Sequence, residues 1–177
     1  MIPAHSYQET QDKLERVFDR AMIKTLIIAG DLVETSAPCP RTRRDVRRLV
    51  SWLNERSVQL IWLRGNHDPA TKPALPSSMI VDGWKIAHGD RPIGKSCAIF
   101  GHHHPSLRAD GLRAPCFLAG PRTIVLPAFS PNAAGLDILS MRLPACFKRE
   151  PLRCIAGMGE ELLDFGCVED LLRKVGR

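Results

Sequence analysis

Polar residues of the kinds that bind metal ions follow four short apolar segments of this sequence. They form four blocks: Gly30-Asp31, Gly65-Asn66-His67-Asp68, His88-Gly89-Asp90 and Gly101-His102-His103-His104. Carboxylate and amide oxygens together with imidazole nitrogens make a mixed donor set, which suits Mn²⁺, Fe or Zn²⁺ better than Ca²⁺ or Mg²⁺. A carboxylate such as that of Asp31 can bridge two such cations, and paired cations of this kind catalyse phosphoester hydrolysis. The blocks therefore indicate a metal site with hydrolytic chemistry.

Apolar strands that alternate with amphipathic helices must position these blocks. Ser6 and Glu9 form a capping box at the first helix, a second helix begins at Thr42, and a short helix spans 168–175. The sequence predicts strands at 25–29, 58–63, 79–81, 84–87, 97–100, 116–118, 123–126, 152–155 and 162–165, and loops at 34–41 and 105–114. Four of these strands end in a block. Because sites in open α/β sheets form beyond the carboxyl ends of strands, we expect the blocks to meet in one pocket.

The composition is that of one globular domain. The chain has 177 residues, of which 44% are hydrophobic and 25% are charged, and these values argue against disorder and coiled coil. We expect a single domain over residues 1–177 and no membrane partner, since no apolar run reaches the roughly 18 residues of a membrane span. The N-terminus lacks a signal-peptide pattern and the six cysteines are dispersed, which favours a reduced, cytoplasmic setting.

The chain carries an excess of positive charge. Twenty-five Lys and Arg against nineteen Asp and Glu give +6, with a pI near 9.2, which favours anionic partners such as nucleic acid. The densest basic cluster is on the second helix and consists of Arg41, Arg43, Arg44, Arg47 and Arg48. A solvated helix face is the simpler interpretation of this cluster, and docking of a nucleic-acid backbone is the alternative.

In their order and spacing, the four blocks resemble the calcineurin-like metallophosphoesterases. The family pattern is Asp-x-His, Gly-Asp, Gly-Asn-His-Asp/Glu, a His often followed by Gly, and Gly-His-x-His. More narrowly, the chain is similar to the bacterial ligase-associated DNA-damage-response phosphoesterases. That likeness runs from about Ile2 to the C-terminus and is carried by Arg64-Gly65-Asn66-His67-Asp68, Gly101-His102-His103-His104-Pro105, Leu126-Pro127-Ala128-Phe129-Ser130 and Leu163-Asp164-Phe165-Gly166.

This resemblance implies a fold and an activity. The fold is α/β with four layers, in which helices lie outside two packed mixed β-sheets. The activity is metal-dependent hydrolysis of phosphodiester bonds, in nucleic acid and in the context of DNA repair. Nucleic acid is the implied substrate, and a DNA ligase or helicase is the implied associate. The sequence leaves the oligomeric state open.

The resemblance also implies a role for individual residues. Two divalent metals are expected, Mn foremost, with Fe or Zn as alternatives. Asp31 would bridge both metals, while Asn66, His88 and His102 would complete one site and His104 would bind the other metal. The catalytic residue would be His67, which contacts the phosphate and protonates the leaving oxygen. Glu34 stands where many relatives carry an acid that orients this histidine.

One block of the family pattern, the N-terminal Asp-x-His, is absent. His5 does not replace it, because no Asp stands two residues before His5. The metal site that uses His104 would then keep only Asp31 and His104 of its four expected protein ligands. We expect from this that the chain is N-terminally truncated and that the fold lacks its first strand.

Several alternatives remain open on the sequence alone. The chain could act on a small phosphomonoester, or serve as a non-catalytic metal-binding or protein-interaction module on the same fold. His103, the variable residue of its block, is expected at the rim rather than as a ligand. Asp68 and Asp90 suit turn capping as well as they suit chemistry.

Overall fold

A computed structural model of the chain describes residues 6–68, 74–109, 111–130, 133, 135–140, 143–158 and 161–175. The helices in these ranges are α1 (Ser6–Arg20), α2 (Pro40–Glu55) and α3 (Val168–Lys174), with a 3₁₀ turn at Ala145–Lys148. The strands are β1 (Thr25–Ile28), β2 (Gln59–Trp62), β3 (Ser78–Val81), β4 (Trp84–Ala87), β5 (Ala98–Phe100), β6 (Pro105–Ala109), β7 (Leu112–Ala119), β8 (Thr123–Val125), β9 (Leu136–Asp137), β10 (Arg153–Met158) and β11 (Glu161–Cys167).

The described strands form two sheets. The smaller sheet pairs β1 with β2 in parallel, with Ile28 opposite Trp62. The larger sheet has nine strands in the order β11-β10-β7-β8-β5-β4-β3, with β6 paired to β7 and β9 paired to β6. It is a mixed sheet, because β4, β5 and β8 run parallel while β7, β10 and β11 are antiparallel. The expectation of an α/β fold with two mixed sheets is confirmed in this form.

Helix α2 begins earlier than the sequence pattern predicts. The predicted loop over 34–41 ends at Cys39, and Pro40 is the first helical residue rather than Thr42. Proline is well suited to this position, since its fixed φ is already helical and the first helical N–H has no intrahelical partner. Among the described helices, none combines the length and the apolar character needed to cross a membrane.

The predicted loop over 105–114 is wrong. Its residues belong to β6 and β7, which pair as an antiparallel hairpin with Ala109 opposite Leu112. The sequence carries Asp110-Gly111 at the turn, a dipeptide typical of tight hairpins, and Gly111 has a φ of +78°. The outer part of this hairpin is exposed, so its polar side chains hide the strand pattern. The short strand β9 and the 3₁₀ turn were also not predicted.

Two clusters of apolar side chains stabilise the two sheets. The first lies between α1, α2 and the two-stranded sheet and is built on Leu14, Leu49, Trp52, Leu53 and Val58. The ring of Phe18 on α1 stacks on Trp52 of α2, with 5.2 Å between the ring centroids. The second cluster is larger and lies on the nine-stranded sheet, around residues such as Phe100, Leu118 and Val125. Strands that carry the predicted blocks therefore come from both sheets.

We expect Leu53→Ala to lower the free energy of unfolding by about 2–5 kcal/mol, because it leaves a cavity in a fully buried position. Leu53 has no exposed surface. The matched control is Leu162→Ala, since Leu162 is 64% exposed, and we expect a change below about 1 kcal/mol for it. Chemical denaturation of both variants measures the difference, and equal losses would contradict the assignment of Leu53 to the core.

Candidate metal centre

Four strands deliver candidate ligands to one point. Asp31 lies shortly after β1, Asn66 follows β2, His88 directly follows β4, and His102 follows β5. The ligand atoms of Asp31, His88 and His102 all lie within 4.8 Å of one another. The predicted convergence of these loops is therefore confirmed for these three residues.

His88 stands at the centre of this group and is 2% exposed. Its Nδ1 lies 3.0 Å from the carbonyl oxygen of Ala29. A carbonyl can only accept a hydrogen bond, so Nδ1 carries the proton of the neutral ring and Nε2 presents its lone pair. That Nε2 lies 3.0 Å from Asp31 Oδ2, 3.0 Å from Asn66 Oδ1 and 3.0 Å from His102 Nδ1.

This arrangement suits a cation. Asp31 Oδ2, Asn66 Oδ1 and His88 Nε2 all present lone pairs, and with a neutral His88 ring no proton lies between them. Such a contact between acceptors is unfavourable unless a positive charge occupies the space they face. The donor set of carboxylate, amide and imidazole is one that Mn²⁺, Fe and Zn²⁺ accept. These residues can therefore hold a divalent metal.

Asp31 is oriented by the loop that follows β2. Its Oδ1 accepts a hydrogen bond from the backbone N–H of His67 at 2.8 Å, which leaves Oδ2 free to face His88. The backbone of Asp31 has a φ of 53° and that of Gly30 a φ of 85°. Both values lie in the left-handed region, which reverses the chain direction directly after β1 and turns the carboxylate back toward the other loops.

Asp68 ties the two loops of the smaller sheet together. One oxygen, Oδ2, accepts hydrogen bonds from the backbone N–H of Asp31 at 2.8 Å, the backbone N–H of Gly65 at 2.8 Å, and the indole N–H of Trp62 at 3.1 Å. The residue is 6% exposed. The sequence left Asp68 between turn capping and chemistry. The structure gives it a positioning role, because it fixes the backbone of the candidate ligand Asp31.

Two glycines allow the loops to approach this closely. A Cβ atom on Gly65 would lie 2.1 Å from Asp31 Oδ1 and 2.4 Å from Asp31 N. A Cβ atom on Gly30 would lie 2.7 Å from Cβ of His88. Both separations are far below van der Waals contact, so any larger residue would push the candidate ligands apart.

The three consecutive histidines play different parts. His102 and His104 have φ values of 59° and 47°, so the chain turns twice and His103 points away from its neighbours' direction. The ring of His103 packs edge-on against Phe147, with 5.4 Å between centroids, in keeping with the expectation that it is not a ligand. His104 is half-buried, and it is not among the three residues whose ligand atoms group within 4.8 Å in the described structure.

Burial lowers the pKa of all three histidines. For His102 and His104 the next cause is repulsion from the nearby His88, whereas for His103 it is repulsion from His102. A lowered pKa keeps an imidazole neutral at neutral pH, and only the neutral ring can bind a metal. The electrostatic interaction of His104 with Asp31, His88 and His102 also places it near the group.

The remaining predicted residues lie at the edge of the group. His67 has an exposed side chain that interacts electrostatically with His102, so it is accessible to a molecule from solvent. Glu34 is exposed as well, and in the described part of the chain no hydrogen bond joins it to His67. Asp90 has an ion pair with Arg91 at 3.9 Å.

Comparison with known proteins gives the class to which this fold and site belong. The family model for the calcineurin-like phosphoesterases matches residues 4–112, which is more than half of the chain. The chain belongs to this family, so it is a metallophosphoesterase and a hydrolase. The predicted superfamily is confirmed.

A solved structure extends the comparison. The crystal structure of the nuclease MPE from Pseudomonas putida is similar to this chain, with 25% sequence identity and a TM-score of 0.66. The similarity covers 85% of this chain and 75% of the Pseudomonas chain. No curated protein matches the chain in sequence.

We expect Gly65→Ala to weaken binding of Mn²⁺ by roughly tenfold or more, because its methyl group would displace the carboxylate of Asp31. Gly157→Ala is the matched control, since the nearest atoms to a Cβ on Gly157 are 3.9 Å away and the residue lies on β10. Isothermal titration with Mn²⁺ measures both affinities. Unchanged affinity in Gly65→Ala would show that Asp31 does not bind the metal.

We expect Asp68→Ala to weaken Mn²⁺ binding by about 10–100-fold without removing a ligand. It should also lower the free energy of unfolding by on the order of 3 kcal/mol, because three N–H groups lose their acceptor. Asp19→Ala, at an exposed position of α1, serves as the control. A loss of stability with unchanged metal affinity would contradict the positioning role.

Proposed function

We propose that this chain hydrolyses phosphodiester bonds in nucleic acid, with a divalent cation held by Asp31, Asn66, His88 and His102. The observation that carries the proposal is the meeting of acceptor atoms at His88 Nε2, each about 3.0 Å away, in a chain of the calcineurin-like family. Buried acceptors that face one another in this way have a use only when a cation joins them.

The donor set favours Mn²⁺ in this proposal, and two cations are proposed for the complete centre, the second near His104 and Asp31. A divalent cation there supplies Lewis-acid stabilisation of the negative charge on phosphoryl oxygens. Asp31 is suited to serve both positions, since its two oxygens point in different directions: Oδ1 toward the N–H of His67 and Oδ2 toward His88.

His67 is proposed as the general acid. Its backbone N–H is held on Asp31 Oδ1, while its imidazole is exposed beside the candidate ligands. The ring can therefore reach a phosphate that approaches from solvent, bind an oxygen of that phosphate, and give its proton to the leaving oxygen. His88 cannot take this role, because it is buried and its Nδ1 proton is engaged by Ala29.

Two observations favour nucleic acid as the substrate. The similar Pseudomonas protein is described as a nuclease, and this chain has a net charge of +6, which attracts a polyanion. The resemblance to the ligase-associated phosphoesterases extends the proposal to DNA-repair substrates in the cytoplasm and to association with a DNA ligase or helicase.

We expect His67→Ala to reduce turnover by a factor on the order of 10² or more while Mn²⁺ stays bound, because the general acid is lost and no ligand is removed. The assay is Mn²⁺-dependent cleavage of an aryl phosphodiester, with metal content measured on the same samples. His5→Ala, which lies outside the four blocks, is the control. An unchanged rate in His67→Ala would sink the assignment.

The same assay distinguishes the classes of substrate. Cleavage of single-stranded DNA and of the aryl phosphodiester, with little cleavage of an aryl phosphomonoester, supports the proposal. Preference for the phosphomonoester would replace it with a small-molecule phosphatase. Uptake of Mn²⁺ with no hydrolysis of any of the three would identify a non-catalytic metal-binding module.

A further inference from the structure

A basic cleft lies on the helical layer, outside the candidate metal centre. It has a volume of about 450 Å³ and is lined by Tyr7, Gln8, Arg41, Arg44, Asp45 and Arg48. This volume falls in the range of roughly 300–1,000 Å³ that is common for ligand sites. Its lining is polar, with three guanidinium groups and one carboxylate, so it fits an anion and not an apolar ligand.

The basic residues of α2 differ in what they contact. Arg43 folds back and donates to the carbonyl oxygen of Pro38 at 2.9 Å. Arg56 lies 3.6 Å from Glu15 and covers the ring of Trp52. Arg48 covers the ring of Tyr7 and lies 3.7 Å from Asp45. These three guanidinium groups are held by partners of their own.

Arg41 and Arg44 are not held in this way. Both side chains are exposed, and within the described ranges no carboxylate lies at ion-pair distance from either guanidinium. Two uncompensated charges one helical turn apart repel each other, and such an arrangement is relieved when an anion binds between them. The cleft therefore offers two free guanidinium groups and a third that is already fixed by Tyr7.

The spacing of these arginines matches a chain of phosphates better than a single one. Positions 41, 44 and 48 lie on one face of α2 and, at 1.5 Å per residue, extend over roughly 10 Å along the helix axis. Successive phosphates of one strand advance by about 3.4 Å along a duplex, so this stripe spans several of them. A free phosphate ion would occupy only one end of it.

The cleft is also within reach of the metal centre. Ten positions separate Asp31 from Arg41, and a fully extended segment of that length spans at most about 35 Å. That limit equals about ten nucleotide steps of a duplex. One oligonucleotide of moderate length can therefore contact both places, whereas an aryl phosphodiester cannot.

We infer that the cleft between α1 and α2 is a docking surface for the phosphodiester backbone of the nucleic-acid substrate, with Arg41, Arg44 and Arg48 as its phosphate contacts. This inference rests on the proposed function, which it extends to how substrate is held. Arg41 and Arg44 are positioning residues. They bind substrate away from the reacting phosphate and take no part in bond cleavage.

The test compares Arg41→Gln/Arg44→Gln with the charge-matched control Arg173→Gln/Lys174→Gln at the end of α3. Fluorescence anisotropy measures the Kd for a single-stranded 20-nucleotide DNA at several salt concentrations. We expect the first variant to raise Kd about tenfold or more and to reduce the slope of log K against log salt by about two, one for each lost phosphate contact. The control should change the slope by less than half of that.

Activity assays separate this inference from the proposed function. We expect Arg41→Gln/Arg44→Gln to raise KM for the 20-nucleotide DNA and to leave Mn²⁺-dependent cleavage of the aryl phosphodiester unchanged. Asp45→Asn, which removes the one carboxylate of the cleft, should lower the Kd for DNA about twofold or more.

Each outcome has a distinct meaning. Equal weakening by the α2 and α3 variants would show binding by net charge alone and would overturn the docking surface. An unchanged Kd in the α2 variant, with a wild-type protein that cleaves DNA, would overturn it while the proposed function stands. A wild-type protein that binds DNA through these arginines and cleaves no phosphodiester would overturn the proposed function and leave the docking surface supported.

Discussion

Lone pairs from a carboxylate, an amide and an imidazole meet within about 3.0 Å at His88 Nε2, with the proton of that ring engaged on the far side by Ala29. Water or an apolar neighbour would not make this contact favourable, and a cation does. Much of the nearby structure serves to hold it. Asp68 fixes the backbone of Asp31, and the small size of Gly65 lets the two loops touch.

The acceptors belong to two different sheets. Asp31 and Asn66 follow strands of the two-stranded sheet, whereas His88 and His102 follow strands of the nine-stranded sheet. A cation bound between them joins the sheets, so its binding free energy depends on how the sheets are held by their separate cores. Packing of α1 and α2 on the smaller sheet thereby affects a site that neither helix touches through a ligand. The same packing forms the basic cleft.

Much of this fold could be predicted from the sequence, for identifiable physical reasons. Short apolar runs that end in Gly and a polar residue marked β1, β2, β4 and β5, and with them the loops of the metal centre. The start of α2 was misjudged because Pro40 was read as a loop residue, although proline suits a first helical turn. The hairpin of β6 and β7 was missed because its exposed half has no apolar alternation, and periodicity detects only strands with a buried face.

The site was predictable in its residue types and less so in its contacts. His88 and His102 follow from motif and spacing. The role of Asp68 does not, since a buried acceptor for three N–H groups and an ordinary turn cap look alike in a sequence. The same holds for the arginines of α2. Their sequence shows a charged face, and only the packing of Tyr7 beside Arg48 shows that this face borders a cleft.

The backbone at the site has a consequence for how such a sequence can change. Asp31, His102 and His104 all have φ values between 47° and 59°, a conformation that costs an ordinary residue about 1–2 kcal/mol and glycine almost nothing. Glycine at any of these positions would relieve strain and delete a polar side chain at the site. Selection for thermal stability alone, in a medium that chelates metal, would therefore enrich glycine there and erase the site step by step. An acid and two imidazoles at three left-handed positions mark a sequence selected for what it binds, at the expense of how firmly it folds.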